Sequence, residues 1–204
     1  MNRSPFVHLH VHSHYSLLDS LCRVPEIVDF AAEQKMSAIA LTDHDGLFGA
    51  IEFYQAARES GIRPIIGVEV TLAGGAPGSG PHLILLAENG MGYGGLLKMV
   101  SQAHLRAAGQ PPFVDDALLA QHSRGLIALT GCLTGAVPAF LAAGDGSGAR
   151  RACGRLAEIF GAGNCFIELQ NHGLPGDQER IRGLLALGSH SGLPVVATNN
   201  AHYL

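Results

Sequence analysis

Four histidines crowd into the stretch HLHVHSHYS, at His8, His10, His12 and His14. Imidazole is the commonest metal ligand in proteins and a frequent acid or base near neutral pH, so this density points to ligation or proton transfer. In an extended strand His8, His10 and His12 would share one face, with His10 and His12 about 7 Å apart along the chain. Further donors recur at the ends of apolar runs: Asp43, His44 and Asp45 in LTDHDG, Glu69 in GVEV, Cys132 in TGCL, and Asn199, Asn200 and His202 in TNNAHY. Asp19 in SLLDS and His104 in LLKMVSQAHL are two more candidates.

Taken singly, each has a plainer reading. A helical histidine such as His104, on a face with Leu97 and Val100, is more often packed or solvated than a ligand. Cys132 is compatible with a small buried hydrophobe, and Asp19, Asp43 and Asp45 with helix or turn caps. Glu69 alone would serve as an ion-pair partner. Together these readings fail, because three same-face imidazoles and an inward carboxylate cannot fill a core without metals or hydrogen-bond partners. A multinuclear metal site accounts for all of them.

The elements that must position these groups follow from periodicity. Apolar runs at 6–11, 38–41, 64–70, 82–87, 125–130, 165–169 and 194–198 give seven expected strands. Helical patterns lie between them: one opening near Pro25, one from Leu47 to Gly61, and others at 94–107, 115–121, 135–143, 149–160 and 177–190. GGAPGSG (74–80) and AAGDGSG (142–148) read as surface loops. Alternating strands and helices imply parallel pairing and a closed or nearly closed α/β barrel, with a doubly wound open sheet as the alternative. In such folds chemistry gathers at the carboxyl ends of the strands, where most of the candidate donors fall.

Composition sets the outer bounds. The 204 residues suffice for a sizeable core in one domain. The four cysteines, Cys22, Cys132, Cys153 and Cys165, form no C-x-x-C pair, which argues against a disulfide framework or a zinc ribbon. No run reaches the length of a membrane span and the N-terminus lacks a secretory apolar core, so a cytoplasmic protein with no membrane partner is expected. A net charge of -4 excludes a dedicated nucleic-acid binder that works by its own basic surface. Three bound divalent cations would reverse that locally, bringing about +6 to one cleft.

The motifs HLHVHS, TDHDG, GVEV, the histidine of QAHL, TGCL and TNNAHY together resemble the PHP (polymerase and histidinol phosphatase) domain. More narrowly, HLHVHSHYSLLDS, TDHDGLFGAIEFY, GIRPIIGVEV and FIELQNHG are similar to the PHP domain at the N-terminus of bacterial DNA polymerase III alpha subunits. The resemblance covers nearly the whole chain and implies a distorted (β/α)7 barrel spanning residues 1–204, either the first part of a longer alpha subunit or a free-standing relative.

It also implies a trinuclear cluster of zinc, manganese or iron on nine ligands: His10, His12, Asp19, His44, Glu69, His104, Cys132, Asn200 and His202. Glu69 would bridge two ions, with His10, His12 and position 200 on one and Asp19, His44 and His202 on another. His104 and Cys132 would attend the third. Asn200 departs from the family pattern, which has Asp there, so one anion is replaced by a neutral amide. The implied reaction is phosphoester hydrolysis by water activated on the metals, with no separate catalytic side chain assigned. In the polymerase context it is 3′-5′ exonuclease proofreading on a DNA 3′ end. His8 and His172 are candidate substrate contacts, and His14 a solvated one. A structural metal-binding module of the polymerase and a stand-alone phosphomonoesterase are the alternatives.

Overall fold

The apolar runs pair into one sheet in the computed structural model, which describes residues 6–74 and 78–203. Its six strands lie side by side in chain order: β1 (Ala38–Leu41), β2 (Arg63–Thr71), β3 (His82–Ala87), β4 (Leu126–Leu129), β5 (Cys165–Gln170) and β6 (Val195–Thr198). The expected first strand is present only as an irregular extended segment. Val11 bridges Ala201 in parallel beyond β6, while Ala40 and Thr42 of the β1 side donate to the carbonyls of His8 and Val11. The segment therefore joins both edges of the sheet, and the fold is a distorted α/β barrel of seven members.

Two expectations need correction. Pairing is parallel for β1 with β2, β4 with β5 and β5 with β6, but antiparallel for β2 with β3 and β3 with β4. Among its described residues the connection from Thr71 to His82 contains no helix, and its length is too short for a crossover, so the chain turns back on itself. The AAGDGSG stretch is also not all loop. Asp145 caps a helix that starts at Gly146, accepting from the Gly148 amide. Of the other expected loop, residues 75–77 lie outside the described residues, as do residues 1–5 of the N-terminus.

Among the described residues seven α-helices cover the outside: α1 (Val24–Glu33), α2 (Ala50–Glu59), α3 (Gly90–Ala107), α4 (Asp116–His122), α5 (Ala136–Ala142), α6 (Gly146–Phe160) and α7 (Asp177–Ser191). Their starts carry local signals. The Glu26 carboxylate accepts from the Arg23 amide at α1, Asn89 accepts from Met91 and Gly92 at α3, and Asp115 from Leu118 at α4. One large apolar cluster joins α3, α4, α5, α6 and α7 to the outer face of the sheet through residues such as Leu96, Met99, Leu118, Leu156 and Leu184. A second joins α1 and α2 to β1 through Ile27, Phe53 and Leu41. Among the described residues no helix is long and apolar enough to cross a membrane.

The barrel interior is layered. Ala40, Ile84, Leu86 and Leu129 form its apolar lower layer with Leu9, Ile65, Ile127, Phe166 and Val196. Two residues further along the same faces come Glu69 above Gly67, His82 above Ile84, and Glu168 above Phe166. The layering fixes where polar side chains can gather: at one end, above a sealed floor.

The start of α3 gives a test of how closely the outer layer packs. A Cβ on Gly92 would lie 1.8 Å from the Gly125 carbonyl oxygen, whereas one on Gly94, two residues on, meets nothing within 4 Å. Gly94→Ala should therefore stabilise the chain by about 0.5–1 kcal/mol through helix propensity. Gly92→Ala should destabilise it by more than about 2 kcal/mol. Urea unfolding of the two variants checks this; equal effects would contradict the close approach.

Candidate metal centre

Glu69 is fully buried on β2, and an isolated carboxylate there would be heavily penalised. Nitrogen and sulfur donors surround it instead. Its Oε2 lies 3.1 Å from His10 Nε2, 2.9 Å from His12 Nε2 and 3.6 Å from His44 Nδ1. Its Oε1 lies 2.8 Å from His82 Nδ1 and 3.6 Å from Cys132 Sγ. Beyond this inner group, Asp19 Oδ2 sits between His44 Nε2 at 2.8 Å and His202 Nδ1 at 3.0 Å. His12 ties the two halves together, its ring stacked between those of His44 and His202 at 4.4 and 4.5 Å.

The side chains arrive from the ends of several elements. His10 and His12 come from the irregular segment, His44 from the turn after β1, Cys132 from the turn after β4 and His202 from beyond β6. Asp43 braces the first two of these pieces: its carboxylate accepts from the Ser13 amide and hydroxyl and from Ser16, while Ser16 Oγ also meets His12 Nδ1 and the His44 amide. At the turn after β4, Gly131 has φ of 87° and stands where a Cβ would be 2.5 Å from the His82 carbonyl oxygen. Only glycine suits that turn, and it brings Cys132 close to the His82 strand.

The donor set fits divalent metal. Three groups, His10 with His12 and Glu69, His12 with Asp19 and His44, and His44 with Glu69 and His82, each have ligand atoms within 4.8 Å of one another. The Asn200 Oδ1 and His202 Nδ1 atoms are buried with no hydrogen-bond partner among the described residues, His202 lying near Asp19 but off the hydrogen-bond direction. A cation would satisfy such atoms. Mixed imidazole, carboxylate and thiol donors suit zinc, manganese or iron.

The structure differs from the sequence expectation at several residues. His104 is exposed on α3 with its Nε2 2.7 Å from the Asp45 backbone carbonyl, and it belongs to none of the three groups among the described residues. His82 stands beside Glu69 in its stead. The reason is topological: β3 runs antiparallel, so its first residue, not its last, lies at the carboxyl ends of the parallel strands. The signal was the short, glycine-rich connection between β2 and β3, too brief for a crossover helix.

His8 also departs from expectation. Two residues of β1 span three of the segment in the pairings to His8 and Val11, a one-residue bulge, and Leu9 packs with the interior cluster. His8 lies half-buried, edge-on to Phe6, its Nδ1 without a hydrogen-bond partner among the described residues. His14 packs against Tyr15 at 4.4 Å, with its Nδ1 likewise unpartnered, and His172 is exposed on the loop after β5, where the Asp177 carboxylate accepts from its amide. Asp45 is bound to Thr71 and stays outside the groups.

Proton affinities follow from this crowding. Burial works against an imidazolium at His10, but the Glu168 and Glu69 carboxylates outweigh it and raise the pKa to about 10. Contacts with Cys132 and Glu69 raise His82 to about 10 against its burial. Burial lowers His12, whose bonds to Glu69 do not make up the loss. For Glu69, burial is outweighed by hydrogen bonds from His10, His12 and His82, which hold its pKa well below the usual carboxylate value.

In the metal-free chain the stability contributed by His10 and His82 is thus fully present below about pH 6.5, the unfolded histidine value, and is lost as pH rises through about 10. Metal competes with those protons, so its affinity should rise over the same interval. Melting temperatures of the metal-free chain and zinc titrations between pH 7 and 10 should therefore slope in opposite directions; parallel slopes would contradict this reading of the cluster.

Comparison with known proteins agrees with the geometry. Residues 8–172 match the PHP domain family. The chain is 40% identical over 212 residues to the DNA polymerase III subunit alpha of Treponema pallidum, covering 100% of this chain and 18% of that protein. It is 37% identical over 228 residues to the corresponding subunit of Saccharopolyspora erythraea, covering 98% of this chain and 19% of that one. An error-prone DNA polymerase of Symbiobacterium thermophilum is 40% identical over 217 residues, covering 97% of this chain and 19% of that one. The chain thus spans about a fifth of the length of the curated relatives it matches. Among solved structures, a candidate metal-dependent phosphoesterase of Bifidobacterium adolescentis superposes with a TM-score of 0.65 at 14% identity, covering 98% of this chain and 89% of that one. An amidohydrolase of Chromobacterium violaceum, crystallised with sulfate and without metal, gives 0.61 at 18% identity, covering 96% and 87%. These two share the fold. With its barrel, its histidine-ringed Glu69 and its match over most of its length, the chain belongs to the PHP domain family and is homologous to the PHP region of DNA polymerase III alpha subunits.

Proposed function

We propose that the chain is a metal-dependent phosphoesterase domain that hydrolyses the terminal phosphodiester of a DNA 3′ end, in association with the remainder of a polymerase III alpha subunit. The observation that carries this reading is the convergence of four imidazoles and a thiol on the two oxygens of one fully buried carboxylate, Glu69. His10, His12 and Glu69 would hold one cation of a three-ion set, Asp19, His44 and His202 a second, and His82 and Cys132 would attend the third. His104 is not carried forward, because it stands apart from these groups. Divalent cations, when bound, polarise phosphoryl oxygens and lower the pKa of water, which is the chemistry a phosphodiester needs.

The side chains themselves set the direction of approach. His10, His12 and Glu69 are sealed from solvent, whereas Asp19 is 44% exposed and His44 and His202 remain partly open. A phosphate enters from the Asp19 side, and the sealed floor excludes water from below. The centre also answers the charge of the chain, since a net -4 surface would otherwise repel nucleic acid.

A second reading, a structural metal-binding module with little turnover, is favoured by one observation. Position 200 carries an amide, so the set has only Asp19 and Glu69 as carboxylates, and Asn200 Oδ1 makes no hydrogen bond among the described residues. The two readings part on one experiment: hydrolysis of an aryl phosphate and of a 3′-labelled single-stranded oligonucleotide by the manganese- or zinc-loaded chain. Asn200→Asp should raise turnover about tenfold or more. Bound metal with no turnover in either protein would select the structural reading, and turnover of small phosphomonoesters alone would exclude a DNA substrate.

A further inference from the structure

Glu168 lies on β5 inside the barrel, 1% exposed, directly behind His10. Its Oε1 accepts from His10 Nδ1 at 2.9 Å, from Gln170 Nε2 at 3.0 Å and from the Thr198 hydroxyl. Its Oε2 is buried with no hydrogen-bond partner among the described residues. A carboxylate so deep is costly, and it stands directly above an apolar layer that holds Leu129 and Phe166. Something in the centre repays it.

A carboxylate only accepts hydrogen bonds, so the nitrogen of His10 that meets it must carry the proton. A neutral His10 is then left with its lone pair on Nε2. That is the atom 3.1 Å from both His12 Nε2 and Glu69 Oε2, at the heart of the most buried ligand group. Three donors converging on one oxygen hold the carboxylate in place, and the Glu168 amide is pinned in turn by Thr130 Oγ1 at 3.1 Å.

We propose that Glu168 is a positioning residue for the metal centre: it fixes the Nδ1–H tautomer and the ring orientation of His10 so that Nε2 faces the cation. Through the imidazole it also lends negative charge to the His10, His12 and Glu69 group, in which Glu69 is the one carboxylate and position 200 brings only an amide. The inference rests on the reading of His10 as a metal ligand. Carboxylates behind ligating histidines are worth about 10–100-fold in metal affinity, which sets the size of the expected effect.

The test uses the whole chain with zinc as the probe. Zinc affinity is measured by competition with a chromophoric chelator for the natural protein and for Glu168→Gln, well below the melting temperature of each. The side-chain nitrogens are followed by long-range 1H–15N NMR. In the zinc-loaded natural protein His10 should show a protonated Nδ1 and a metal-bound Nε2. Glu168→Gln should bind zinc about 10–100-fold more weakly, with the His10 nitrogen signals displaced and those of His44 unmoved. Unchanged affinity, or weakened affinity with His10 signals unaltered, overturns the proposal. So does metal on Nδ1 of His10 in the natural protein, a result that needs no variant to fold. Absence of zinc binding by the natural protein would instead overturn the phosphoesterase reading.

Discussion

The charge of Glu69 is the constraint around which this fold is arranged. A carboxylate with no solvent exposure must be met by positive charge or by several donors, and here five side chains from four separate pieces of chain supply them. Without metal the compensation comes from protons: Glu69 adds to the pull of Glu168 on His10 and of Cys132 on His82, and both hold their protons above the ordinary histidine range. With metal it comes from cations, and the same imidazoles become neutral ligands. One buried anion thus couples barrel closure to ligand chemistry, since the segment that shuts the sheet is also the one that carries His10 and His12.

That coupling explains which parts of the architecture were legible. The i, i+2 spacing of His10 and His12 and the polar residues after each apolar run were enough to place His44, Glu69, Cys132 and His202 at one rim, where the structure brings them together. Helix positions were readable from apolar periodicity, although α3 begins at Gly90 behind its Asn89 cap, ahead of the expected start at 94. Strand direction was not, because apolar runs look alike in either direction. That hid His82, which starts β3 and would stand at the amino end, away from the rim, were the strand parallel. The bulge that turns His8 away from the centre was hidden for a related reason: alternation in sequence does not reveal where a backbone inserts an extra residue. Glu168 sat in plain view in FIEL, but a carboxylate on a strand acquires meaning only from its neighbour across the barrel.

The centre is asymmetric, with a sealed side and an open one. His10, His12 and Glu69 rest above an apolar floor, and Glu168, Gln170 and Thr198 brace His10 from within the barrel. Asp19, His44 and His202 face outward, on loops at the end of elements. The inner side gives rigidity and the outer side gives access, a division that would suit the proposed phosphoesterase. Asn200 lies in this scheme with its oxygen unpartnered. Its neutral amide weakens the anionic balance at one position while leaving the remaining donors in place.

The central claim, that Glu69 anchors a metal centre with His82 among its donors, is tested most directly by anomalous diffraction from zinc-loaded crystals of the chain. The account predicts ions about 2.0–2.2 Å from Glu69 oxygens and about 2.0–2.1 Å from nitrogens of His10, His12 and His82, with His104 still on the Asp45 carbonyl. Ions bound away from Glu69, or ligated by His104 while His82 stays free, would contradict it.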